Sequence, residues 1–152
     1  MALEYQIAGT GNVDLSTIDQ AVRVVYGLDS AAIDILEHSR HARLPGCDLF
    51  FYEMGRSNWA RCIEEGHGFA PSIGLTFRFI HNEHSKAYLT LSQAIHFFMK
   101  QEFDFVLLAN GESAPLVKKA GQLLVNRAWE SQVQEFLNIA PAEYALSDLP
   151  KL

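Results

Sequence analysis

Cysteine is scarce in this chain: Cys47 and Cys62 are its only two, too few for a disulfide framework. Both read as reduced thiols, with a single bridge between them as the minor alternative. Long apolar runs are missing too. The longest, Phe105 to Ala109, falls far short of the ~20 residues a membrane-spanning helix requires. The opening Met1-Ala2-Leu3-Glu4-Tyr5 has neither the basic stretch nor the apolar stretch of a secretory signal, so a cytoplasmic protein is expected. Basic residues are the minority, 12 against 18 acidic, for a formal net charge of −6. A general nucleic-acid binder needs a basic face, and this balance argues against one. It is compatible with a basic protein as partner.

What is present suits a globular domain. The 152 residues are 49% hydrophobic, 20% charged and 11% aromatic, outside the range of disordered chains. A chain of this length buries roughly 70% of the surface its unfolded form exposes. No repeat, low-complexity tract or linker divides it, so residues 1–152 are expected to form one domain, loosely packed in a tail from about residue 141.

Hydrophobic periodicity sets the element order. Leu3, Tyr5 and Ile7 alternate with Glu4 and Gln6, a strand ending at Gly9. Ile18, Val22 and Val25 form one stripe of a helix stopped by Gly27. Residues 31–41 read equally as a strand or a short helix. Asp48 to Met54 predicts a strand, and Gly55 to Gly68 a long exposed connection. The clearest half-buried strand carries Ile73, Leu75, Phe77 and Phe79 on one side, with Gly74, Thr76 and Arg78 on the other. Ser85 is placed to cap a helix running to about Lys100, followed by an apolar strand over 103–109. Asn110-Gly111 favours a type I′ hairpin turn. Leu116-Val117 and Gln122 to Val125 read as two further strands joined at Ala120-Gly121. Ala128 to Ile139 closes as a helix with Val133, Phe136 and Leu137 inward. The order implies an α+β fold, a mainly antiparallel sheet packed with about three helices.

The chemistry-bearing residues do not assemble into a familiar catalytic pattern. His38 and His41 stand three apart, as do His81 and His84. Two such pairs could together supply a zinc site, the basis of one alternative reading as a small metal-binding enzyme, beside a second as an adaptor domain. Neither pair matches His-Glu-x-x-His, and the favoured reading is surface histidines with no cofactor. Cys62 lies near His67, but Glu64 and Glu65 between them oppose a reactive thiolate. Gly9-Thr10-Gly11 follows a strand and precedes a helix, yet the third glycine of a dinucleotide loop is absent and a plain turn explains it better. The acidic pairs Glu64-Glu65 and Glu102 with Asp104 show no sign of the desolvated niche that acid–base catalysis needs.

For binding, the charge distribution says more. Residues 1–71 hold ten acidic and five basic side chains, whereas residues 72–152 hold eight and seven. The acidic first half also carries Tyr52, Arg56 and Trp59. Aromatic and arginine anchors ringed by carboxylates suit a protein partner with a basic surface. Tyr52, Glu53, Arg56, Trp59, Glu64 and Glu65 are therefore the candidate interface. Trp59 as a core residue, with the acids serving solubility, explains the same residues, and both readings stay open.

Several stretches resemble a known family. Met1-Ala2-Leu3-Glu4-Tyr5, Gly68-Phe69-Ala70-Pro71 leading into Ile73 to Phe79, and Asp104 to Glu112 with Pro115-Leu116-Val117 and Gly121 to Asn126 occur in this order. Together they resemble the swarming-inhibition (Sit-type) immunity proteins, small bacterial proteins that neutralise a cognate polymorphic toxin. The likeness lies mainly in residues 68–126. It implies a non-enzymatic cytoplasmic protein whose partner is a protein toxin, one that is basic and nuclease-like if the acidic half is the contact. The motif residues have structural explanations of their own. Arg78 on the outer face of its strand would pair with Glu112 if the two strands are neighbours.

Overall fold

The computed structural model describes residues 3–10 and 14–152. Within them the chain runs β1 (Glu4–Gly9), α1 (Leu15–Tyr26), β2 (Ile33–Ile35), β3 (Arg40–Leu44), β4 (Cys47–Glu53), α2 (Asn58–His67) and β5 (Ile73–Phe79). It continues through α3 (His84–Met99), β6 (Phe105–Ala109), β7 (Ser113–Lys119), β8 (Gln122–Asn126), α4 (Glu130–Leu137) and β9 (Ala145–Ser147). The nine strands form one sheet in the order β2-β3-β4-β5-β1-β6-β7-β8-β9. All neighbours are antiparallel except β8 and β9, which are parallel. This is the α+β, mainly antiparallel architecture expected from the strand periodicity. Met1, Ala2 and Gly11, which entered the sequence reading, lie outside the described residues.

Strand β1 is the organising element. It pairs with β5 on one side and β6 on the other, and with Tyr5 and Ile7 in one core and Ala8 in a second it is buried on both faces from Tyr5 to Gly9. One face of the sheet carries Ile7, Leu49, Leu75, Phe77, Phe105 and Leu107, all under the apolar stripes of α1, α3 and α4. Those stripes are Ile18 and Val22, then Ala87, Leu91, Ile95 and Phe98, then Val133 and Leu137. Full burial of each large aliphatic side chain contributes about 1.5–3 kcal/mol.

The opposite face holds the fourth helix. Residues 55–68, expected as an exposed connection, contain α2. Ser57 accepts a hydrogen bond from the Ala60 N–H, and Gly68 at φ +78° closes the far end. Ala60, Ile63 and His67 face inward onto a second core that includes Ala8, Val106, Leu108 and Val117. The glycines and charges suggested a loop, whereas three inward residues at spacings of three and four were enough to dock a helix.

Other boundaries shift for identifiable reasons. The ambiguous stretch 31–41 becomes a short 3-10 turn over Ser30–Ala32, then β2 and the start of β3, because Ile33 reaches the core as an extended residue. Helix α3 begins at His84 behind Glu83, with no side-chain cap, so Ser85 is not the capping residue. Helix α4 is preceded by a 3-10 turn over Arg127–Trp129. Phe136, expected inward, is 38% exposed and stacks on the Tyr88 ring at a centroid distance of 4.4 Å. Both turn dipeptides hold positive φ, Asn110 and Gly111 at 51° and 71°, Ala120 and Gly121 at 51° and 79°. The Asn110 turn is tied to β1: the Glu4 N–H donates to Asn110 Oδ1 at 2.9 Å, and the Gly111 N–H to Gln6 Oε1 at 2.8 Å.

Arg78 does not meet Glu112. Strand β1 separates β5 from β6 and β7, and the Arg78 guanidinium pairs instead with Glu4 at 2.8 Å across the β1–β5 register. Glu112 lies 3.9 Å from Lys151.

Candidate functional site

The six residues singled out from the sequence lie along β4, α2 and the turn between them, in two kinds of environment. Glu53, Arg56, Glu64 and Glu65 are exposed, whereas Tyr52 and Trp59 are half-buried against the second core. Tyr52 faces Gly74 in the β4–β5 register, and a Cβ on Gly74 would come within 2.5 Å of the Tyr52 ring. The ring thus lies flat over bare backbone, and its hydroxyl meets Thr76 Oγ1 at 2.9 Å. Burial raises the Tyr52 phenol above its ordinary pKa, so it stays protonated.

Helix α2 covers only part of its sheet face, so the β3, β4 and β5 end of that face carries no helix. There Phe50 is flanked by the His41 ring at 4.8 Å and the Arg78 guanidinium at 5.6 Å. His41 bridges Asp34 at 3.4 Å and Asp48 at 2.8 Å, and Asp48 also accepts from Arg43 at 2.8 Å. Burial works to raise the Asp48 pKa, but the His41 and Arg43 hydrogen bonds and charges outweigh it and leave it below the usual range. The sequence reading missed this ionic and aromatic strip. Its signal was the alternation Asp48, Phe50, Tyr52 on the outer side of β4.

A second feature lies on the other face, at the β2–β3 hairpin. An open groove of about 440 Å³ is lined by Leu15, Ile35, Leu36, Glu37, His38, Ser39, Arg40 and Glu53. Glu53 is the one residue of the expected interface that reaches it. Its floor is braced by Asp19, which is 6% exposed and pairs with both Arg23 and Arg40 at 2.5 Å. Burial alone would raise the Asp19 pKa, and the two arginines reverse the shift.

The histidine pairs do not converge. His81 and His84 are exposed around an open depression of about 520 Å³ between β5 and α3. His38 sits at the hairpin tip beside Glu37, while His41 is committed to Asp34 and Asp48. Among the described residues no group of three or more His, Cys, Asp or Glu side chains is placed to hold a metal ion. Cys62 is exposed and His67 buried, on different sides of α2. Asp104 is occupied in accepting from the Ala120 N–H at 2.9 Å. No described helix is long and apolar enough to cross a membrane.

A family model described as SitI3-like matches residues 3–132, the greater part of the chain. No curated protein and no solved structure matches.

Proposed function

Because the chain belongs to the SitI3-like family, we propose that it is an immunity protein, one that binds a cognate toxin and blocks it without transforming any substrate. The family match carries this reading, and the match extends well beyond the 68–126 stretch that first suggested it. The geometry supports it in kind. Asp19, His41, Asp48 and Arg78 are occupied in ion pairs within the fold, while Glu53, Arg56, Glu64 and Glu65 stay exposed.

The mechanism is stoichiometric occlusion in the cytoplasm. A standard interface buries roughly 800 Å² on each partner, enough to cover a toxin's working cleft. Complementary charge speeds capture, and speed matters because a free toxin acts repeatedly. The acidic half of the chain favours a basic toxin such as a nuclease, whose own surface must attract phosphate. Glu53, Arg56, Glu64 and Glu65 supply the exposed contacts, with Tyr52 and Trp59 as half-buried anchors.

The test is co-expression with the product of the neighbouring open reading frame in a sensitive host. Restored growth together with a co-purified complex is the expected result, and the double variant Glu64→Lys/Glu65→Lys should weaken both. Growth arrest that the chain does not relieve, with no complex recovered, overturns the reading.

A further inference from the structure

Strand β2, three residues long with Asp34 at its centre, forms one edge of the sheet. Strand β2 pairs only with β3, through Ile33–Ala42, Asp34–His41 and Ile35–Arg40. The Leu36 N–H donates to the Ser39 carbonyl at 2.9 Å, which makes 36 and 39 a hydrogen-bonded pair. Antiparallel pairing alternates, so Asp34 is the next hydrogen-bonded partner and the backbone groups of Ile33 and Ile35 point outward from the sheet. Natural edges are commonly blunted by lysine, proline or a bulge. Here the strand is short and carries one acid, Asp34, but the chain has no lysine before Lys86 and no proline between residues 29 and 44.

The side chains beside this edge combine apolar surface with negative charge. Ile35 is 76% and Leu36 47% exposed, two of the six large apolar residues exposed among the described residues. The Asp34 and Glu37 side chains are also open to solvent, and Glu53 closes the adjoining groove. Arginine charge nearby is already engaged, Arg40 by Asp19 and Arg43 by Asp48.

We infer that the β2 edge is where the partner docks, by adding an extended segment that carries lysine or arginine alternating with apolar residues as a tenth strand. Backbone hydrogen bonds to Ile33 and Ile35 supply affinity in such a docking, and alternate side chains supply specificity. Apolar residues of the segment lie against Ile35 on one face of the sheet, and its cations meet Asp34 on the other, with Glu37 beside them at the hairpin tip. A second copy of this chain is the poorer occupant, because antiparallel pairing of Ile33 with Ile35 of the copy sets Asp34 directly against Asp34. The inference rests on the immunity reading and gives that reading its contact surface, which joins the interface of β4 at Glu53.

The probe is the protein encoded by the neighbouring open reading frame, titrated calorimetrically and followed by amide hydrogen exchange on the wild-type chain. Slowing of exchange at Ile33 and Ile35 by tenfold or more in the complex is expected, with little change at Asp34. Asp34→Lys/Glu37→Lys and, separately, Ile35→Pro should each weaken binding at least tenfold. Glu102→Lys/Glu135→Lys, the same charge change on other exposed helix and loop positions, should leave binding within twofold. Tight binding with unaltered exchange at Ile33 and Ile35 overturns the edge assignment and leaves the immunity reading intact. Protection of these amides in the chain alone, rising with its concentration, overturns it in favour of self-pairing. Absence of any binding by the wild-type chain overturns the immunity reading and the edge assignment with it.

Discussion

Lys118 and Lys119 are neighbours on β7, yet they close the ends of two helices on opposite sides of the sheet. The Lys118 ammonium donates to the carbonyls of Met99 and Gln101 at the end of α3. The Lys119 ammonium donates to the His67 carbonyl at the end of α2, at 3.1 Å. Strand alternation turns consecutive side chains to opposite faces, and a cation suits a helix C-terminus on either. One dipeptide thereby fastens both helical layers to the sheet.

The two lysines should separate on substitution. Lys118 is 7% exposed, so Lys118→Met leaves two part-buried carbonyls without their donor and should destabilise the fold by about 1–3 kcal/mol. Lys119→Met, at an exposed position, should cost about 0.5–1 kcal/mol and speed amide exchange in α2 selectively. Urea unfolding together with exchange on both variants checks this.

Two glycines with similar backbone test how closely the β3–β4 turn approaches α3. Gly46 and Gly27 have φ of 79° and 64°. A Cβ on Gly46 would fall 2.4 Å from the Ala87 nitrogen, whereas one on Gly27 meets nothing within 4 Å. Gly27→Ala should therefore cost about 1 kcal/mol from backbone strain alone. Gly46→Ala should cost about 2 kcal/mol or more, because backbone must also move. Thermal melts of the two variants give the comparison.

Stability should fall in two separate acid windows. Burial, aided by the Lys119 charge, holds His67 below its ordinary pKa, and its Nε2 lacks a hydrogen-bond partner. A depressed histidine contributes stability in full above about 6.5, its unfolded pKa, and loses it as the pH falls below that toward the folded value. Asp19 is depressed as well, so its contribution is present above the unfolded carboxylate value of about 3.9 and is lost below it. His67→Phe should flatten the stability curve between pH 7 and 5, and Asp19→Asn should flatten it below pH 4. Chemical denaturation across pH 3–8 reads both.

The two thiols should react at very different rates. Cys47 is fully buried and its thiol is pushed up to about 12 by that burial, while Cys62 is exposed on α2. A native-state titration with a disulfide reagent should modify one thiol per chain quickly, and Cys62→Ser should remove that fast phase.

The sheet was legible wherever one strand face alternates with the other. Ile73 to Phe79 announced itself, as did the two turn dipeptides, because each depends on local steric rules. Helix α2 was not, although Ser57 and Gly68 were ordinary cap signals. Its inward stripe is short, and Glu64, Glu65 and Gly66 gave the segment the composition of a loop. The Arg78 partner was out of reach for another reason. Which strands are neighbours depends on β1 entering between β5 and β6, a long-range choice that local patterning does not encode. The candidate surface divides in the same way. Exposed acids could be named from charge, while the Phe50 strip and the bare β2 edge exist only once the strands are ordered.

The central claim is that this chain acts by covering its partner mole for mole. Titrating it into a fixed amount of the neighbouring gene product, while recording that protein's toxic activity on its own substrate, tests the claim directly. Activity should fall linearly and reach zero at one equivalent, with both proteins recovered chemically unchanged. Complete inactivation at a small fraction of an equivalent, or a covalent alteration of the toxin, would contradict it.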